Sequence, residues 1–163
     1  MATLKIEKWE RWFLYATVVV LVGFFIAIIA SIGEAGIHLP TDEAQVDPAA
    51  VASGDVPPFD NPGVYEQPDG TYQAVVVAKA WSFDPPEIEV PVGKEVEFVV
   101  TSTDVIHGFL ISEVAVNGMI IPGQVLKVNA TFDEAGVYDV ICHEYCGLAH
   151  SQMFGQVKVG GEG

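Results

Sequence analysis

The chain has 163 residues, half of them hydrophobic, with 22 acidic residues against 7 basic ones and a formal net charge of −15. That length fits one ordinary domain plus an appendage, and a mean hydropathy of +0.37 is high for a chain soluble along its whole length. The acidity argues against nucleic acid as a partner, because a phosphate backbone needs a basic footprint; it favours a cationic partner steered in by the field, or plain solubility.

From Trp12 to Ile32 the run WFLYATVVVLVGFFIAIIASI carries no charge. About 20 apolar residues let a helix cross a bilayer. Lys5, Glu7, Lys8, Glu10 and Arg11 crowd before it, and Trp9 and Trp12 stand where amphipathic rings prefer the membrane interface. No Lys or Arg follows until Lys79, an asymmetry that puts the N-terminus in the cytoplasm and the remainder outside. Residues 1–33 are read as an uncleaved single-pass anchor. The competing reading, a cleaved signal peptide, has an apolar core of roughly 7–15 residues and an A-x-A-like site; this run is longer and no clear site follows it.

Residues 34–70 hold more than half of the prolines, many acidic residues and no Lys or Arg. They predict an extended, solvated connector, with PPFDNPGVY as a fragment able to pack on the domain and His38 as an ordinary surface histidine. From Thr71 the pattern turns to β. Strands are predicted over Tyr72–Ala80, Glu95–Thr101, Leu126–Phe132, Val137–Cys142 and Gln156–Val159. Asp84-Pro85-Pro86, Val92-Gly93-Lys94, Ile121-Pro122-Gly123 and Glu134-Ala135-Gly136 are turn signals between them. Short alternating strands so punctuated predict an antiparallel sandwich or barrel over 71–163.

The chemistry lies in Cys142-His143-Glu144-Tyr145-Cys146-Gly147-Leu148-Ala149-His150-Ser151-Gln152-Met153, spaced C-x3-C-x3-H-x2-M, with His107 upstream in DVIHGF. Two cysteines permit one disulfide, but the His and Met at fixed spacing argue for metal. Soft sulfur with imidazole selects copper or zinc. Zinc could take Cys142, Cys146, His150 and His107 tetrahedrally, yet it gains little from a thioether. A single blue copper needs only one cysteine. Two thiolates bridging two coppers use every donor: His150 on one metal, His107 on the other, Met153 as an axial cap, and the Glu144 carbonyl, midway between the cysteines, as the second cap. A bridged pair shares one added electron over both metals, so each bond changes little and transfer is fast. The spacing also fits one helix face, although Gly147 and the preceding strand oppose a long helix. Met119 is expected in packing, and His143 at the surface, since it points away if Cys142 points inward.

CHEYCGLAHSQMFG with DVIHGF resembles the CuA loop and upstream histidine of cytochrome c oxidase subunit II. AWSFDPPEIEVPVG resembles the same family, and the likeness runs from Tyr72 to Val159. A single anchor helix is similar to the B-type haem-copper oxidases. The resemblance implies an all-β, cupredoxin-like Greek-key barrel or sandwich behind one transmembrane helix. It implies copper ligands at His107, Cys142, Glu144 (through its carbonyl), Cys146, His150 and Met153, an acidic neighbour at Asp104 supporting His107, and a magnesium ion at the subunit I boundary through the Glu144 side chain. Trp81 and Phe83 match an aromatic electron-uptake run, thinned here by Lys79 and Ser82. The implied role is to take electrons from a cytochrome c-type or other soluble donor and pass them to haem in subunit I, at a prokaryotic cell membrane, with the copper domain periplasmic or extracellular. No C-x-x-C-H is present, so no c-type haem is fused to this chain; nor does it hold the membrane histidines that an oxygen-reducing haem site needs, so no catalytic residue is expected here and oxygen reduction falls to a partner. The rival readings are the CuA module of a nitric or nitrous oxide reductase, and a single-copper cupredoxin or copper carrier.

Overall fold

The apolar run folds as one helix, α1 (Lys8–Glu34). A helix of 25 residues, Lys8–Ile32, is long and apolar enough to cross a membrane, and none of its most apolar stretch is buried by the rest of the chain. The computed structural model describes residues 7–34 and 44–160; His38 lies outside the described residues. The chain divides into two compact units, Met1–Thr41 and Asp42–Gly163.

The second unit contains α2 (Pro48–Ser53) and ten strands. These are β1 (Gly63–Glu66), β2 (Tyr72–Lys79), β3 (Ser82–Asp84), β4 (Glu87–Val90), β5 (Glu95–Ser102), β6 (His107–Ile111), β7 (Val116–Ile120), β8 (Leu126–Thr131), β9 (Gly136–Ile141) and β10 (Phe154–Val159). One sheet has the order β1-β2-β5-β8, with β3 paired to β2; the other has the order β4-β10-β9-β6-β7. All five predicted strands are present. The additional ones are three to five residues long, too short for alternation to declare itself.

The sequence pattern predicts antiparallel pairing, but the pairing is mixed. β2 and β5 run parallel from Tyr72↔Val96 to Ala78↔Ser102, and β4 and β10 are parallel from Glu87↔Gln156 to Val90↔Val159. A parallel pair needs a crossover. β3 and β4 supply it between β2 and β5, taking the chain from the first sheet to the second and back.

The sheets enclose a core whose largest fully buried side chains are Phe98, Phe109 and Phe132. Phe109 stands 5.4 Å from Phe98 and 5.8 Å, edge to face, from Phe83. Cys142, Cys146 and Met153 belong to the same buried cluster, so the candidate ligands are an extension of the core rather than a surface clip.

The connector is not solvated along its length. Ala44–Val46 bonds to Gly123 and Val125 through backbone groups. α2 is a complete small helix: Asp47 accepts from the Ala49 amide, Pro48 opens it, and Gly54 closes it at φ 76°. Val51 and Phe59 are buried against Val75, Val77, Val99 and Val125 on the outer face of the first sheet. This strap explains why β2 reads as an unbroken apolar run: Ala74, Val76 and Ala78 face the core while Val75 and Val77 face the strap. Met119, expected in packing, is about half exposed, because Val116 and Ile120 take the inward positions of β7.

Candidate metal centre

β9 and β10 are antiparallel neighbours that begin with the pair Ile141↔Phe154. The segment between them is therefore a loop pinned at both ends, and the Cys142 amide donates to the Met153 carbonyl at 3.3 Å. That bond sets the first and last candidate ligands of the loop side by side. The loop is not a helix; its one regular piece is a 3-10 turn, His150–Gln152. Gly147 turns it at φ +122°, and a Cβ there would lie 2.9 Å from Trp81 Nε1. His107 opens β6, which pairs with β9 at Leu110↔Ile141. The upstream histidine is thereby delivered to the same end of the sheet as the loop.

The donors converge. Cys142 Sγ and Cys146 Sγ are 3.7 Å apart, both buried and both free thiols; a disulfide would hold them at about 2.05 Å. Around Cys142 Sγ stand His107 Nδ1 at 3.9 Å and the Glu144 carbonyl at 3.3 Å. Around Cys146 Sγ stand His150 Nδ1 at 3.5 Å and Met153 Sδ at 3.7 Å. The ligand atoms of His107, Cys142 and Cys146 all lie within 4.8 Å of one another. Two thiols, two imidazoles and a thioether, largely shielded from water, form a soft donor set that fits copper.

Electrostatics hold this arrangement in one form. His107 is wholly buried, and its Nε2 lies 2.8 Å from Asp104 Oδ1. A carboxylate only accepts, so Nε2 carries the proton and Nδ1 offers its lone pair to the thiols. Burial pushes the Asp104 carboxyl up, but bonds from His107 and from the Val105 and Ala80 amides outweigh it and keep the group below the usual carboxylate range. Burial, then the adjoining Cys142 thiol, pushes the Cys146 thiol up to about 11. In the metal-free chain that sulfur is protonated at neutral pH, and a metal ion must displace the proton.

Trp81 is 40% exposed and donates its indole N–H to the Cys146 carbonyl at 3.0 Å. Phe83 is buried in the core, and Lys79 pairs with Asp84 at 3.0 Å. Several participants carry no sequence signal. Ser102, fully buried, donates to the Val105 carbonyl at 2.7 Å and accepts from the Asp104 amide at 3.3 Å. The Gly108 amide donates to Cys142 Sγ at 3.4 Å. His143, expected at the surface, is half-buried: its side chain is 25% exposed and its Nε2 is shielded. The bare Cα of Gly108 leaves a notch that the imidazole fills. Three apolar residues are exposed in or next to the donor segments: Leu148, at 93%, and Tyr145 in the loop, and Ile106 just before His107.

The family model for "Cytochrome C oxidase subunit II, periplasmic domain" matches residues 78–159. "Cytochrome c oxidase subunit 2" of Thermus thermophilus is 39% identical over 140 residues, which are 83% of this chain and 82% of that protein. This chain belongs to the cytochrome c oxidase subunit II family. A chain of a heme-copper terminal oxidase dimer solved by cryo-EM is 33% identical, with a TM-score of 0.73 over 94% of this chain and 100% of that one. The periplasmic domain of subunit II of cytochrome oxidase from Bradyrhizobium japonicum, at 24% identity and a TM-score of 0.50 over 53% of this chain and 82% of that one, shares the fold. The Asp42–Gly163 unit is accordingly an all-β, cupredoxin-like sandwich, and among the described residues one N-terminal helix is long and apolar enough to cross a membrane. As a subunit II, the chain is part of an oxidoreductase complex, the haem-copper oxidase.

Proposed function

We propose that the chain is the electron-transfer subunit of a terminal haem-copper oxidase, holding a two-copper CuA centre on His107, Cys142, Cys146, His150, Met153 and the Glu144 carbonyl. One observation carries this reading. Two free, buried thiols stand 3.7 Å apart, each with its own imidazole Nδ1 and its own weaker donor. His107 and Glu144 lie on the Cys142 side; His150 and Met153 lie on the Cys146 side. A single tetrahedral ion has no need of this duplicated set.

Copper bound here would supply a one-electron redox couple. The protein's part is to keep the donors still. Asp104 fixes the His107 ring, Gly147 and the 3-10 turn fix His150, and the pinned loop ends fix Cys142 and Met153. Little atomic movement on gain or loss of an electron means a low reorganisation cost. Trp81, half-exposed and hydrogen-bonded to the Cys146 carbonyl, is the electron-uptake residue of this reading; Phe83 supports it from the core. The donor is a cytochrome c-type or similar soluble protein, attracted by the net charge of −15. The acceptor is haem in subunit I, where oxygen is reduced, so this chain carries no catalytic residue. The exposed Leu148, Tyr145 and Ile106 supply apolar area for partner contact. The helix is a single-pass anchor with its N-terminus cytoplasmic and the copper domain on the periplasmic or extracellular side of a prokaryotic membrane. A magnesium ion at the subunit I boundary would use the Glu144 carboxylate, which is 39% exposed, with water and groups of the partner subunit as its other ligands.

Metal analysis with electron paramagnetic resonance tests the centre. Two coppers per chain, with one unpaired electron spread over both nuclei, is the expected result. One copper, or zinc, would refute it in favour of a single-metal carrier.

A further inference from the structure

We propose that His143 is a positioning residue for the copper centre: its ring, seated on the bare Cα of Gly108, holds the Gly108 amide against the Cys142 sulfur and thereby raises the reduction potential. The proposal rests on the copper reading above. Its grounds are contacts that neither histidine spacing nor the donor set requires.

Gly108 follows His107 directly, and His143 follows Cys142 directly. Each member of the contact is therefore covalently bonded to a candidate ligand, one in β6 and one at the start of the loop. The contact is close. A Cβ on Gly108 would lie 2.6 Å from the His143 backbone nitrogen, 2.6 Å from its Nδ1 and 2.7 Å from its Cγ, distances at which no side chain fits. The imidazole thus occupies the space that a side chain at position 108 would need. The ring is not held there through Nε2, which is shielded and has no hydrogen-bond partner among the described residues. Its Nδ1 lies 3.5 Å from Glu144 Oε1, a distance too long for a firm bond. Shape, more than hydrogen bonding, sets its place.

What the contact positions is the Gly108 amide, which donates to Cys142 Sγ at 3.4 Å in a buried setting. A donor aimed at a thiolate stabilises the more electron-rich, reduced state of a metal centre, and hydrogen bonding around cysteine sulfur tunes redox potential. Without the ring, β6 and the loop lose the wedge that fixes their separation, and the amide is free to drift from the sulfur. The next residue along the loop is Glu144, whose carbonyl lies 3.3 Å from the same sulfur, so the same wedge also governs that donor.

The test uses the full chain in detergent, loaded with copper, with potential, visible absorption and copper hyperfine splitting as readouts. His143→Ala should lower the reduction potential and change the hyperfine splitting. His143→Phe, which keeps a ring in the notch, should stay near wild type. A His143→Ala centre with unchanged potential and hyperfine splitting overturns the proposal while leaving the copper reading intact. Should His143→Ala take up no copper, His143→Phe decides: a wild-type centre supports the wedge, and a displaced potential overturns it. Wild-type chain that binds no copper pair overturns both readings together.

Discussion

Asp104 ties the buried His107 ring to two backbone segments, and its removal has a calculable consequence. The carboxylate accepts from the buried His107 Nε2 at 2.8 Å and the Val105 amide at 2.6 Å through one oxygen, and from the Ala80 amide at 2.6 Å through the other. It thereby joins the segment that carries Trp81 to the segment that carries His107. A hydrogen bond to a charged group contributes about 1.5–3 kcal/mol, and a buried donor left without a partner costs about 1–3 kcal/mol. The Asp104 side chain is a third exposed, so water can replace its bonds to Val105 and Ala80 but not the bond to His107. Asp104→Ala should then destabilise the copper-free chain by about 3 kcal/mol, a fall in melting temperature of roughly 6–12 °C. Copper affinity should fall by about 10–100-fold, the usual effect of removing a partner that orients a ligating histidine. Near-ultraviolet circular dichroism melts of the full chain in detergent, with competitive copper titration, measure both. A melting point within 2 °C of wild type, with copper affinity unchanged, would show that Asp104 does not organise the site.

Three further outcomes are expected. Cys146→Ser removes one of the two buried sulfurs and, on the proposed two-copper reading, should abolish the two-copper absorption spectrum; its persistence would contradict a bridging role for Cys146. Phe59→Ala empties a site packed against Val51, Val75, Val77 and Val99 and should cost about 3–5 kcal/mol, leaving the copper spectrum unchanged because the strap covers the outer face of the sheet. Turnover with a cationic soluble donor should slow as salt rises, since screening weakens attraction to an acidic surface; a rate indifferent to ionic strength would exclude docking by charge.

Much of the molecule is legible along the chain because its causes are local. The anchor follows from an uncharged apolar run, and the five longer strands follow from alternation and turn residues. The donor loop is readable because Cys142, Glu144, Cys146, His150 and Met153 lie within one hairpin connection, where spacing alone shows their number and type. The sequence is mute where two distant segments decide the outcome. Val51 and Phe59 look like stray apolar residues in a proline-rich connector until β2 and β5 present an uncovered outer face to them. Parallel pairing of β2 with β5 depends on a crossover, which pattern along one strand cannot reveal. His143 carries no mark distinguishing it from a surface residue, since its burial is created by the missing side chain of Gly108 on another strand. Composition and spacing by themselves settled which atoms are available to a metal. Only the meeting of β6 with β9, and of Trp81 and Asp104 with the loop, decided how those atoms are aimed, because direction is a property of packed neighbours and not of a chain read in one dimension.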